Sequence, residues 1–323
     1  MKIAILDDYQ DCVRQLDCFS LLDGHEVKVF TNSARGVGQL ALRLVEFDAL
    51  VLIRERSRIN AALLQRLPKL KLISQTGHVG SHIDLAAARA HGVAVTEGAG
   101  DPTAPAELTW ALILAAARKL PQYAANLRDG RWQMASINPG LNGLGFVLKG
   151  RTLGIWGYGR IGRLVAGYAR AFGMSVLVWG SETSRAAAGA DGCEAAASRA
   201  ALFEQSDVLS LHLRLCDATR ALIGADDFAR MRPGSLFVNT SRAELVAPGA
   251  LEQALRAGRP GCAAIDVFEQ EPPAPDLPLL RMPNVLATPH IGYVERDSYE
   301  LYFRTAFENL LAFAEGRDVN RVV

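Results

Sequence analysis

Short runs of apolar, mostly branched residues alternate along this chain with stretches whose apolar positions recur every three to four residues. The alternation predicts strands separated by helices, the pattern of a parallel sheet. Strands are expected over residues 2–6, 26–30, 49–53, 71–74 and 93–96. A second series is expected over 153–156, 174–179, 207–213, 235–240, 262–267 and 285–288. Gly98-Ala99-Gly100-Asp101-Pro102 separates the two series, and an almost wholly apolar helix over 103–120 follows it. Such a helix must be buried on most sides, between lobes or in a subunit interface. A long helix over 294–315 follows a hinge-like Gly292, and the alanine-rich stretch 186–200 reads as a helix and its connection.

The second series opens on Leu153-Gly154-Ile155-Trp156-Gly157-Tyr158-Gly159-Arg160-Ile161-Gly162, an apolar strand running into Gly-x-Gly-x-x-Gly and then into a helix. In that order Gly157 allows a tight turn, Gly159 lets the backbone approach a pyrophosphate, and Gly162 lets the helix pack close to the strand. The phosphates then meet unpaired N–H groups and the positive end of the helix dipole. Ile161, Leu164, Val165, Tyr168, Ala169 and Phe172 recur at helical spacing, and Gly173 is placed to end the helix before the next strand.

Composition narrows the field. The 323 residues, half of them hydrophobic, suffice for two domains with filled cores, and the net charge of +1 offers no basic stripe for nucleic acid or an anionic membrane. No apolar run approaches the length of a membrane span, and Asp7 and Asp8 follow the first strand too soon for a secretory leader, so a cytoplasmic protein is expected. The five cysteines form no Cys-x-x-Cys pair and stand near no histidine at zinc-ligand spacing, so reduced thiols and no metal site are expected.

Three residues just beyond successive strands of the second series carry candidate chemistry: Arg242, Glu271 and His290. If the sheet is continuous, their loops open on the edge that holds the cofactor. An arginine fork can pair with a substrate carboxylate and polarise a keto oxygen. A histidine can exchange the hydroxyl proton near neutrality, and a carboxylate bonded to it favours the protonated ring. Together they suit hydride transfer on a small 2-keto or 2-hydroxy acid.

Asn239-Thr240-Ser241-Arg242, Asp266-Val267-Phe268-Glu269-Gln270-Glu271-Pro272 and Thr288-Pro289-His290-Ile291-Gly292 follow the glycine loop in this order. They resemble the three signatures of the D-isomer-specific 2-hydroxyacid dehydrogenase family, which includes phosphoglycerate dehydrogenases and hydroxypyruvate or glyoxylate reductases. The resemblance extends over essentially the whole chain, through Ala106-Glu107-Leu108, His212-Leu213 with Thr219-Arg220, and Thr76-Gly77-His78-Val79-Gly80 with Asp84. It implies an α/β fold of two Rossmann-like or flavodoxin-like parallel-sheet domains with the active-site cleft between them. Residues 1–100 plus 293–323 would form the substrate-binding domain and 101–292 the dinucleotide-binding domain. It further implies Arg242, Glu271 and His290 as the catalytic set and Asp266 as the partner of the nicotinamide carboxamide. Arg160, Ile161, Trp179, Gly180, Ser181, Arg185, His212 and Thr240 would lie around the cofactor with the three loop glycines. A homodimer joined through the nucleotide domains is implied as well.

Substrate contacts are expected from the first lobe. The adjacent amides of Val79 and Gly80, beside His78, can form an anion nest, although an ordinary strand-to-helix turn reads equally well there. Arg54 stands in a segment resembling one that faces the cleft in phosphoglycerate dehydrogenases, whereas Arg58 reads as part of a solvated loop. The chain departs from the family pattern at Ala243-Glu244, where glycines are usual, and at Tyr293. At the second strand's end, where NAD users carry an acid, Trp179 is followed by Gly180-Ser181-Glu182-Thr183-Ser184-Arg185, which leaves NAD and NADP both open. The sequence thus reads as an NAD(P)-dependent oxidoreductase acting on a small 2-keto or D-2-hydroxy acid. Phosphoglycerate dehydrogenase is the alternative activity. An NAD(H)-sensing protein like the corepressors of this fold, or an oxidiser of formate or phosphite, are the rivals.

Overall fold

The computed structural model describes residues 1–34 and 36–323. The chain divides into two compact units, Met1–Asp101 with Val294–Val323, and Pro102–Tyr293. In the first unit, β1 (Lys2–Ile5), β2 (Glu26–Val29), β3 (Ala49–Leu52), β4 (Leu72–Gln75) and β5 (Ala94–Thr96) form a parallel sheet in the order β2-β1-β3-β4-β5. Strands β3 and β4 are buried at every position, which is why β3 reads as a continuous rather than alternating apolar run, while β4 buries Ser74 and Gln75 beside Leu72 and Ile73. The helix Arg296–Ala314 belongs to this unit: Ser74 Oγ on β4 donates to the Ala306 carbonyl at 2.8 Å, and Phe307 meets Phe19 edge to face at 6.3 Å. The following segment runs antiparallel beside β5, with Val322 N–H donating to the Val95 carbonyl at 2.8 Å.

The second unit holds β6 (Thr152–Trp156), β7 (Ser175–Trp179), β8 (Glu194–Ala195), β9 (Val208–Leu211), β10 (Leu236–Asn239), β11 (Cys262–Ile265) and β12 (Val285–Ala287). They form one parallel sheet in the order β12-β11-β10-β9-β6-β7-β8. The chain runs outward from β6 in both directions, so the order reverses between β6 and β9. In open sheets of this kind ligands bind beyond the strand ends at that reversal. The helix Thr103–Ala117 packs Trp110, Leu112 and Ile113 into the same core as Leu153, Ile155 and Val238, so within this unit it covers one face of the sheet.

Two expectations are corrected in detail. The apolar helix stops at Ala117, because Lys119 takes left-handed backbone (φ 53°), and a second helix, Leu120–Arg128, starts there with Pro121 in its first turn. The alanine-rich stretch contains a helix only as far as Ala190. Its remainder supplies the two-residue edge strand β8 before the helix Arg199–Gln205. Alanine favours helices, but a strand of two residues is set by its pairing to β7, which local composition does not report. Among the described residues no helix is long and apolar enough to cross a membrane.

Candidate active site

The turn after β6 leaves no room for a side chain at two of its three glycines. Gly157 has φ 98°, and a Cβ there would lie 2.5 Å from the His212 carbonyl oxygen. A Cβ on Gly162 would lie 2.4 Å from the Gly157 carbonyl oxygen, so the helix Arg160–Ala171 comes as close to the turn as backbone allows. Gly159 is the converse case, since a Cβ there would meet nothing within 4 Å and faces open space. It is also the residue before the helix, whose first-turn N–H groups receive no side-chain cap. A cradle with an open glycine and uncapped amides fits a dinucleotide pyrophosphate.

The loop is braced from behind. Tyr158 is buried and donates its hydroxyl to Asp191 at 3.0 Å, while Arg163 lies over the Tyr158 ring at 5.5 Å and pairs with Asp191 at 3.7 Å. This brace, which sequence reasoning did not single out, ties the phosphate loop to the end of the helix Glu182–Ala190. That helix starts where β7 ends. Ser181 caps it by accepting from Ser184 N–H at 3.2 Å, and the Arg185 guanidinium lies 4.8 Å over the Trp179 ring. Gly180 occupies the strand end itself, and its missing Cβ would lie 3.2 Å from Ser184 Cβ.

Beyond β9, His212 shares a hydrogen bond with Ser210 at 3.0 Å, and burial pushes its pKa down to about 4. Because the folded state disfavours the charged ring, this contribution to stability is fully present above the ordinary value of 6.5 and is lost as pH falls through 4. Urea unfolding should register a loss of up to about 3 kcal/mol across that interval, at about 1.4 kcal/mol per pH unit. In His212→Asn the pH dependence should be shallower by that amount. An identical slope in the two proteins would show that His212 is not the group that titrates.

The three candidate catalytic residues stand on loops after the adjacent strands β10, β11 and β12. Asn239, Ile265 and Ala287 form one row across those strands, and Arg242, Glu271 and His290 lie three, six and three residues beyond it. Arg242 is held with extended backbone; Asn239 Nδ2 donates to its carbonyl at 2.9 Å and its own Nη1 donates to the Ser241 carbonyl at 2.7 Å. Thr240, beside it, shares a hydroxyl hydrogen bond of 2.7 Å with Thr109 on the apolar helix. Glu271 accepts from Phe268 N–H through Oε1 at 3.0 Å and holds His290 Nδ1 through Oε2 at 2.6 Å. His290 sits in left-handed backbone (φ 53°), and its ring meets Tyr293 edge to face at 5.7 Å. Strain of this kind persists where the surroundings over-determine it.

Asp266 is one such determinant. It is almost wholly buried, and its carboxylate accepts from Thr288 Oγ1 at 2.7 Å, Ile291 N–H at 2.9 Å and Gly292 N–H at 2.9 Å, so it fixes both ends of the loop that carries His290. Burial raises its pKa and these donors oppose the rise. No cluster of side chains among the described residues could hold a metal ion.

In the first unit the expected substrate residues gather at the ends of β3 and β4. Arg54 has left-handed backbone (φ 51°), with its guanidinium against Gly77 and 5.7 Å over the Tyr302 ring. Glu97 accepts from Val79 N–H at 2.9 Å and lies 3.3 Å from His78 Nδ1, so one of the two amides of the expected nest already holds an internal carboxylate. Gly80 faces Glu55 and His82, and a Cβ there would lie 3.1 Å from Glu55 Oε1.

Comparison with known proteins agrees with this geometry. Residues 110–292 match the family model "D-isomer specific 2-hydroxyacid dehydrogenase, NAD binding domain". A glyoxylate reductase from Aeropyrum pernix is 40% identical over 84% of this chain and 81% of its own length. A D-3-phosphoglycerate dehydrogenase from Archaeoglobus fulgidus is 34% identical over 93% of this chain, which spans only 55% of that relative. A solved oxidoreductase structure from Ralstonia solanacearum superposes with a TM-score of 0.97 at 60% identity, covering 99% of this chain and 96% of that one. The chain belongs to the D-isomer specific 2-hydroxyacid dehydrogenase family, and its second unit contains the family's NAD-binding domain.

Proposed function

We propose that this protein reduces a small 2-keto acid to the D-2-hydroxy acid, and catalyses the reverse, with Arg242, Glu271 and His290 as its working groups. The observation that carries the reading is the 2.6 Å bond from Glu271 to His290 Nδ1. It fixes the ring and leaves Nε2, which has no protein partner among the described residues, to exchange a proton with substrate. Arg242 pairs its fork with the substrate carboxylate and the keto oxygen, stabilising the charge that develops on that oxygen. When bound, the nicotinamide supplies or accepts the hydride, and Asp266 orients its carboxamide. Arg54, His78 and the Gly80 amide are proposed as substrate contacts of the first unit, the Val79 amide being held by Glu97.

Loss of reduced-nicotinamide absorbance should be measured with glyoxylate, hydroxypyruvate and phosphohydroxypyruvate. Turnover with at least one keto acid is expected, and a preference for the phosphorylated one identifies the phosphoglycerate activity. Silence across the panel with cofactor still bound would replace this reading with the sensing protein or an oxidiser of formate or phosphite.

Cofactor binding to the second unit is taken to favour the phosphorylated form, NADP(H). Gly180 removes the carboxylate that would repel a 2′-phosphate, and Arg185, held over Trp179, supplies a cation there. Arg185→Ala should therefore weaken NADPH binding much more than NADH binding, and equal losses would sink the idea. The protein is further read as a homodimer. Leu120, Leu127, Trp132, Ile137, Leu144 and Val147 are all exposed, Trp132 at 74% and Leu144 at 92%, and a second copy of the chain would remove this apolar stretch from water.

A further inference from the structure

A second arginine stands on the other side of the glycine loop from Arg185, and the proposed function has not used it. Trp156, the last residue of β6, is in register with Trp179 on one neighbour and with Leu211 on the other. Gly180 and His212 therefore leave the sheet at the same level, on either side of the turn that begins at Gly157. Gly157 touches both exits: its N–H donates to the Trp179 carbonyl at 2.9 Å, and its Cα faces the His212 carbonyl. Neighbouring strands lie about 4.8 Å apart, so the two exits are separated by about 10 Å.

Arg214 lies two residues beyond His212. Leu213 and Leu215, its neighbours, pack against the core that also receives Trp179, and Arg214 between them is exposed. Its side chain makes no ion pair or hydrogen bond among the described residues, and Arg185 has no acidic partner either. Two guanidiniums without an acidic partner thus follow the strands on either side of the glycine turn, Arg185 4.8 Å over the Trp179 ring and Arg214 exposed on the loop after β9. Glu182 adds one carboxylate in the first turn of the helix that carries Arg185.

We infer that Arg214 is a second cofactor-selecting residue, which closes with Arg185 on a phosphate ester of the adenosine ribose and so selects NADP(H) over NAD(H). The inference rests on the dehydrogenase reading and deepens it. A phosphate monoester carries between one and two negative charges and three acceptor oxygens, enough to engage both forks. An unphosphorylated ribose neutralises neither.

Equilibrium binding of 2′,5′-ADP, 5′-AMP, NADPH and NADH should be measured on the full chain and on Arg214→Ala, Arg214→Lys, Arg185→Ala and the double variant, each checked for an unchanged melting temperature. Arg214→Ala should weaken 2′,5′-ADP and NADPH by about tenfold and the two unphosphorylated ligands by less than about twofold, lysine should restore part of the loss, and the salt dependence of NADPH binding should become shallower. Equal losses for phosphorylated and unphosphorylated ligands would place Arg214 against the adenine and overturn the inference, as would no loss at all. If the parent protein binds NADH and 5′-AMP as tightly as their phosphorylated counterparts, the clamp is wrong and the dehydrogenase reading stands. If it binds none of the four, the dinucleotide reading fails with it.

Discussion

His290→Gln should leave dinucleotide binding intact and lower turnover by about a hundredfold or more, the scale on which a positioned acid or base contributes. Glutamine retains hydrogen-bonding groups but has no proton to exchange near neutrality. Cofactor binding is expected to survive, because the glycine cradle follows β6, whereas His290 follows β12 at the far edge of the sheet. Stopped-flow reduction of the best keto acid under single-turnover conditions separates the chemical step from product release. An unchanged rate of that step would mean that the proton comes from another group, and would remove His290 from the mechanism even though Glu271 holds it at 2.6 Å.

Arg242→Ala should damage substrate affinity and turnover together. The arginine is assigned to the carboxylate, present throughout, and to the keto oxygen, whose charge grows in the transition state. Its loss therefore raises KM and lowers kcat, with kcat/KM reduced by about a thousandfold if both contacts are lost. Arg242→Lys keeps the charge but not the planar fork, and should recover only a minor part of this. Titration of NADPH into the alanine variant provides the control. An effect confined to cofactor affinity, with kcat at saturation unaltered, would contradict the role given to the side chain.

Much of the fold was legible because its signals are local. The run that became β3 is apolar at every position, which marks a strand covered on both faces, and the glycine loop is a contiguous motif whose spacing reflects backbone contacts such as that of Gly162 with the Gly157 carbonyl. The family signatures around Arg242, Glu271 and His290 were legible for the same reason, each being a short run at a strand end. What escaped depends on partners distant in the chain. Thr109 reads as one more residue of an apolar helix until its hydroxyl meets Thr240, 131 positions later. Glu97 follows β5 without any motif, yet it occupies the Val79 amide expected for an anion. Arg214 looks like any solvated arginine until strand register sets the loop that carries it level with the end of β7. The two-residue strand β8 is likewise specified by its neighbour rather than by its own residues.

The second unit is one uninterrupted stretch, Pro102–Tyr293, whereas the first is assembled from both ends of the chain. During synthesis the nucleotide-binding sheet can close as soon as its last strand has left the ribosome. The first sheet, begun earlier, must wait for the helix Arg296–Ala314 to reach Ser74 on β4. Until then the face of β4 that the helix covers stays open, so of the two units the one begun first is the last to be completed.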